Sequence, residues 1–195
     1  MSVYVRMHGR NSLLKQYMKT ILPLVVYLLF FSHCLSENPL DTARTKADEG
    51  NAAAMVELGN MNKEGRATEQ NYTEAVKWYG MVADQKDADA LFSLGLMYFL
   101  GQGVAQNDAK AATFFKKAAD FGNVDALVNI GSMYRDGRGV EKDYAKAIAY
   151  WTVALQLNSD ETANKNLLVA LADATNEEYA EGRRQAVVIF NNIPK

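Results

Sequence analysis

The chain has 195 residues, 49% of them apolar and 23% charged, with a formal net charge of −2 and a single cysteine. This is the composition of an ordinary soluble globular domain with a core of its own, and one cysteine excludes a disulfide framework. The slight acidity argues against non-specific nucleic-acid binding, which needs clustered Lys and Arg to displace counterions.

Residues 1–36 differ in kind from the rest. They contain Arg6, Arg10, Lys15 and Lys19 and no acid, then an apolar run from Ile21 to Phe31, and Cys34-Leu35-Ser36 leads into polar Glu37-Asn38-Pro39. A basic start, an apolar stretch of about a dozen residues and small residues at the −3 and −1 positions describe a Sec-type secretory signal peptide. The run is too short for a membrane span, which needs about 20 apolar residues. Met18-Lys19-Thr20 directly precedes it, so Met18 is the expected working start and Ser36 the last residue removed. The alternatives are an uncleaved anchor, a mitochondrial targeting segment, which a continuous apolar run fits poorly, and lipid attachment at Cys34, opposed by His33 where a small residue is wanted. Cleavage takes Cys34, His8 and His33 with it. The mature chain then has 17 basic and 23 acidic residues, a net charge of −6, and neither Cys nor His. The expected location is periplasmic or secreted.

Residues 37–51 read as an N-terminal capping helix, because Ala47-Asp48-Glu49-Gly50-Asn51 matches Ala119 to Asn123 at an offset of 72. Residues 52–158 hold three units of 36 residues. Gly59, Gly95 and Gly131 keep that spacing, as do Gly65, Gly101 and Gly137, and Leu58, Leu94 and Ile130. Met61, Met97 and Met133 follow it, then Ala75, Ala111 and Ala147, and the aromatic pairs Trp78-Tyr79, Phe114-Phe115 and Tyr150-Trp151. Such exact self-similarity marks a stack of supersecondary units. Each unit reads as helix, loop, helix. Ala90, Leu94 and Tyr98 recur at helical steps, and Asn71, Asn107 and Asp143 stand where a second helix needs its cap. A glycine inside the first helix costs about 1 kcal/mol relative to alanine, so its return in every unit implies close approach of the partner helix. Residues 159–195 read as a C-terminal partial repeat and capping helix. Ala163 to Asp173 is the expected first helix and Thr175 to Ile193 the second, opened by the capping box Thr175-Asn176-Glu177-Glu178.

Ala90-x-x-x-Leu94-Gly95-x-x-Tyr98-x-x-Gly101-x-Gly103-Val104 and Ala126-x-x-x-Ile130-Gly131-x-x-Tyr134-x-x-Gly137-x-Gly139-Val140 resemble the Sel-1-like repeat, a relative of the tetratricopeptide repeat. The resemblance covers about residues 39 to 190 and implies an all-α fold, an α-solenoid of antiparallel helix pairs with three full repeats between capping helices. The first unit departs from the pattern: Asn62 replaces the aromatic, and Gly65-Arg66-Ala67-Thr68 lacks the second loop glycine.

Catalytic machinery is scarce. Without His or Cys the mature chain has no Ser-His-Asp arrangement, no thiol nucleophile and no ordinary zinc site. Ser12-x-x-Lys15 lies ahead of the signal core. Gly101-Gln102-Gly103 lacks a third glycine at Gln106 and joins two helices, unlike a phosphate loop. The acids Asp108, Asp125 and Asp143 fall at helix ends, where the dipole explains them. The expectation is therefore a non-enzymatic protein with no cofactor and no metal.

The resemblance implies that the first helix of each pair lines an inner groove. Carried over by the Leu94-Gly95 and Tyr98 landmarks, the groove positions are Asp89, Phe92, Leu96, Phe99 and Leu100 in the middle unit. Before it they are Ala53, Val56, Asn60, Lys63 and Glu64, and after it Asp125, Val128, Ser132, Arg135 and Asp136. An apolar centre with a charged rim describes a protein-binding surface. Phe92, Leu96, Phe99 and Leu100 are the expected partner-binding anchors, with Asn60, Lys63, Ser132 and Arg135 beside them. The expected role is an exported scaffold or adaptor that captures a partner protein, with no nucleic acid and no membrane span in the mature chain. An immunity protein occupying a toxic secreted enzyme such as a phospholipase is the alternative. A cell-wall hydrolase using two carboxylates is the outsider. Amino-terminal sequencing of the exported chain is expected to begin Glu37-Asn38-Pro39; an exported chain that retains the basic segment contradicts the signal assignment.

Overall fold

The computed structural model describes residue 19 and residues 38–83, 85–158 and 161–194. The expected signal segment, with its start at Met18 and its end at Ser36, lies outside the described residues. Two units are distinguished, residues 1–42 and residues 43–195. The described end of the first is the opening of helix α1 (Pro39–Asp48), where the Asn38 side chain accepts the Leu40 N–H at 3.1 Å. The second unit continues α1 and adds α2 (Ala52–Glu64), α3 (Tyr72–Ala83), α4 (Ala88–Leu100) and α5 (Asp108–Asp120). Then follow α6 (Val124–Asp136), α7 (Tyr144–Leu157), α8 (Glu161–Asp173) and α9 (Asn176–Asn192). The pairs α2–α3, α4–α5 and α6–α7 pack within themselves and successively on one another. The second unit is thus the all-α solenoid of helix pairs that the 36-residue period implies.

Local chemistry sets each boundary. Asn51, Asp87, Asn107, Asn123 and Asp143 each lie in extended backbone and accept an N–H of the first helical turn, a bond for which alanine substitution costs about 1 kcal/mol. Gly65, Gly101 and Gly137 end the first helices at φ of 72°, 70° and 69°. The N–H groups of Asn71, Asn107 and Asp143 then reach back to the carbonyls of Asn62, Tyr98 and Tyr134 at 2.7, 2.8 and 2.9 Å. All three loops therefore close in the same way, including the first, which departs in sequence.

The cost of the mid-helix glycine is explained by its neighbour. A Cβ at Gly59 would stand 2.5 Å from the Tyr79 ring, at Gly95 2.5 Å from Phe115, and at Gly131 2.7 Å from Trp151 Nε1. Tyr79, Phe115 and Trp151 are fully buried, so each second helix seats its aromatic in the space the first helix leaves. The preceding aromatic stacks on the first helix: Tyr98 on Phe114 at 5.5 Å and Tyr134 on Tyr150 at 5.8 Å. In the first unit Asn62 has no ring to offer, and its amide donates instead to the Leu58 carbonyl at 2.8 Å.

The C-terminal end departs from the expected pairing. Helix α9 opens with the capping box, Thr175 and Glu178 bonding reciprocally, yet it packs along α7 rather than against α8. Gly182 lies against the Ala145 carbonyl and Ile148, and Ile193 reaches Gly122. The reason is visible in register. Both bounds of α8 fall 37 residues after those of α6, which sets buried Ala163 in the place of Ala126 and Leu168 in the place of Gly131. A leucine there leaves no seat for a second-helix aromatic.

The loop glycines Gly103 and Gly139 have φ of 71° and 68°, and their α-carbons abut the backbone of Tyr72 and Asp108 at the start of the preceding pair's second helix. Ala67 adopts the same left-handed conformation, φ 59°, which costs an alanine about 1 kcal/mol. Replacing Ala67 with Gly is expected to raise unfolding free energy by about 1 kcal/mol, whereas Gly139→Ala lowers it by more, since a side chain there meets both strain and backbone. Urea melts of the two variants check the pair.

Candidate protein-binding groove

The first helices α2, α4 and α6 carry the expected groove positions, and the structure distributes them unevenly. Phe92 is half-buried with its ring 5.7 Å from Phe115 at a tilt of 40°. Phe99 is also half-buried, 6.3 Å from the same ring. Leu96 packs against the core beside them. Leu100, one turn further, is 56% exposed. So α4 presents one open apolar side chain flanked by three whose inner halves belong to the core.

The polar positions are engaged by the fold to differing degrees. Asn60 accepts the Tyr79 hydroxyl at 2.7 Å, and burial pushes that phenol up to about 12, so it remains a neutral donor throughout the physiological range. Ser132 donates to the Val128 carbonyl of its own helix at 3.0 Å. Arg135 forms a two-point ion pair with Asp136 at 2.6 and 2.9 Å and lies 5.9 Å from the Trp151 ring centre. That hydrogen-bonded guanidinium holds the Asp136 carboxyl below the usual carboxylate range. Lys63 is half-buried, and its carbonyl accepts the Gln70 side chain at 2.9 Å. Its ammonium has no ion-pair partner among the described residues.

The structure brings Phe99 and Ser132 together in a small cavity of about 40 Å³ with Asn129, Met133, Asp136 and Arg138. Arg138 is the residue that sequence reasoning missed. Its guanidinium lies 4.2 Å over the Phe99 ring and also bonds the Asp108 carboxylate at 3.1 and 3.2 Å. It joins the third loop to the second pair and covers one face of an expected anchor. Its sequence signal is slight: a loop arginine between Gly137 and Gly139, where the middle unit has Gln102.

A larger cleft of about 450 Å³ opens on another face, where Lys116 and Asp120 of α5 and Tyr134 and Tyr150 meet Arg184 and Ile189 of α9. It exists because α9 lies along α7. Lys116 pairs with Asp120 at 3.5 Å and Arg184 with Glu181 at 2.6 Å within the walls, and Lys146 pairs with Asp143 outside them at 2.7 Å. Among the described residues no group of His, Cys, Asp and Glu is arranged to hold a metal ion, and no helix is long and apolar enough to cross a membrane.

The Sel1 repeat matches residues 52–87, 88–123 and 124–159, the three pairs described above. The structure of a Sel1 repeat protein from Oxalobacter formigenes is similar, with 31% identity and a TM-score of 0.61, over 67% of this chain and 98% of that one. So is c5321, described as a protective antigen present in uropathogenic Escherichia coli strains displaying an SLR fold, with 23% identity and a TM-score of 0.53. The likeness to c5321 is one of fold, and the chain spans about two-fifths of its length, 40%. No curated protein matches the chain in sequence.

The burial pattern separates open positions from core. Leu100→Ala is expected to change stability by less than about 0.5 kcal/mol, while Phe92→Ala costs about 3 kcal/mol through the cavity it leaves against Phe115. Thermal melts of the two variants check this; equal losses contradict the division.

Proposed function

This chain belongs to the Sel1 repeat family, and we propose that it acts as an exported scaffold that captures a partner protein on the face formed by α2, α4 and α6. Proteins built from Sel1 repeats serve as platforms for protein–protein interaction and are generally not enzymes. The basic, acid-free segment with its apolar run supports export. The observation that carries the site is Leu100, open to solvent beside half-buried Leu96 and Phe99 in the middle of the stack. Charged Lys63 and Glu64 stand on one side and Arg135 and Asp136 on the other.

This arrangement suits recognition. A preformed apolar spot loses little side-chain entropy on binding because Phe92, Leu96 and Phe99 are already held by the core. Anchors of this kind dominate interface energies when a rim excludes water around them. The rim charges set orientation and encounter rate more than affinity. Lys63, without an ion-pair partner among the described residues, is the cation most free to meet an acidic group, whereas Arg135 must first give up Asp136.

The test is affinity capture from an envelope extract with wild-type and Leu100→Glu chains. The wild type is expected to retain a partner that the variant loses by at least about tenfold, a cost of about 1.4 kcal/mol at a central apolar anchor, with helicity and melting unchanged. Equal retention by both chains refutes the site. Turnover of a cell-wall substrate by the purified chain refutes the scaffold reading.

A further inference from the structure

In each complete pair, one face of the first helix is sealed by its own second helix. In α6 that face is Leu127, Gly131 and Tyr134, lying against α7 with Gly131 under Trp151 and Tyr134 stacked on Tyr150. The residues at the 37-residue offset in α8 are Asn164, Leu168 and Leu171. Since α9 packs on α7, it does not lie along them as a second helix, and Leu168 and Leu171 are 62% and 37% exposed. Seven of the ten exposed large apolar residues among the described ones lie on α8 and α9. A solenoid end needs a polar outer face to stay soluble alone. This end lacks one.

The exposed residues form two stripes. Glu161, Asn164, Leu168 and Leu171 recur at steps of three, four and three along α8, and Tyr179, Arg183, Val187 and Phe190 at four, four and three along α9. Those steps put each set on one helix face. The α8 stripe is a first-helix face without its second helix. The α9 stripe is an apolar face about a quarter-turn around the helix from the side, with Gly182, Ala186 and Ile189, that is turned to the core. The two helices do not satisfy each other within one chain.

We propose that this end is the interface of a homodimer, in which α9 of a second copy covers Leu168 and Leu171 of α8 and a twofold axis repeats the contact. Three observations favour a second copy as the occupant. The surface holds both a vacant first-helix face and an unused second-helix face, so a twofold axis fills both at once, as an isologous contact requires. The single acid of the α8 stripe, Glu161, and the single base of the α9 stripe, Arg183, have no ion-pair partner among the described residues, and pairing α8 with α9 of the other copy brings opposite charges onto one contact. The size is also adequate. The α8 and α9 faces that each copy contributes, about 10 Å wide and about 20 and 25 Å long for their 13 and 17 residues, offer a combined projected area of roughly 450 Å². Counted as accessible surface, that approaches the ~800 Å² per partner of a standard interface. Such a dimer leaves the α2, α4 and α6 face free in each copy.

Sedimentation equilibrium of the full chain tests this. The wild type is expected to approach twice the chain mass as concentration rises. Leu168→Glu and, independently, Val187→Lys return it to the monomer, with the helical circular dichroism signal unchanged because both positions are exposed. A cross-link supplies the second readout. With Cys34→Ser in both, a chain carrying Leu168→Cys and one carrying Val187→Cys are expected to form a disulfide-linked pair when mixed and oxidised. A wild type that stays monomeric at every concentration overturns the proposal. So does a dimer that survives both charge substitutions, or a Leu168→Cys, Val187→Cys double variant that closes its disulfide within one chain.

Discussion

Everything in the repeat region depends on one steric fit: a glycine in the first helix of each pair and an aromatic ring of the second helix lying against it. The glycine weakens its own helix by about 1 kcal/mol. It admits the ring of Tyr79, Phe115 or Trp151, each fully buried, and burial of a large apolar side chain contributes roughly 1.5–3 kcal/mol. The exchange favours the pair over the isolated helix. Trp151 adds a hydrogen bond from its indole N–H to the Val128 carbonyl at 3.1 Å, and Tyr79 adds its bond to Asn60. The same contact thus fixes the spacing of two helices and, in the first unit, the orientation of the Asn60 side chain at an expected groove position.

That fit also governs where the repetition stops. At the glycine position of α8 stands Leu168, and the helix that follows does not dock there; it lies along α7 and brings Gly182 against that helix's backbone. Where the glycine is missing, the 17-residue helix that follows takes a different seat. The change creates the cleft between α5, α7 and α9 and leaves the apolar stripes of α8 and α9 in solvent. The loops show a related constraint. Glycine is needed at residues 103 and 139 because the preceding second helix begins against them, while the first loop tolerates Ala67 in the same backbone conformation.

Much of this architecture was legible in the residues themselves. The 36-residue spacing of Gly59, Gly95 and Gly131 implied both the helix pairs and the close approach that the structure contains, and the caps at Asn107, Asp143 and Thr175 announced their helices. These signals are local or periodic, so a single chain displays them. What was not legible depends on contacts between residues far apart. The placement of α9 goes with a leucine at the glycine position of α8, in a register shifted by one residue that hides behind the apparent continuation of the pattern at Ala163. The engagement of Arg138 with both Asp108 and Phe99 joins residues 30 or more apart and leaves no periodic trace. The expected anchors share one sequence face, but only packing reveals that Leu100 is open while Phe92 and Phe99 lean on Phe115.

A scaffold needs a rigid frame and a surface that the frame does not consume. Here the glycine–aromatic contacts provide the frame, and residues one helical turn away from them provide the surface. The most direct test of that dependence is a double-mutant cycle on Gly95 and Phe115, read by chemical denaturation. Gly95→Ala is expected to destabilise the wild type by about 2 kcal/mol through overpacking. In a Phe115→Ala background, where the ring is gone, the same change is expected to cost far less or to stabilise by up to about 1 kcal/mol through helix propensity. If Gly95→Ala has the same effect in both backgrounds, the glycine does not serve the ring and the account fails.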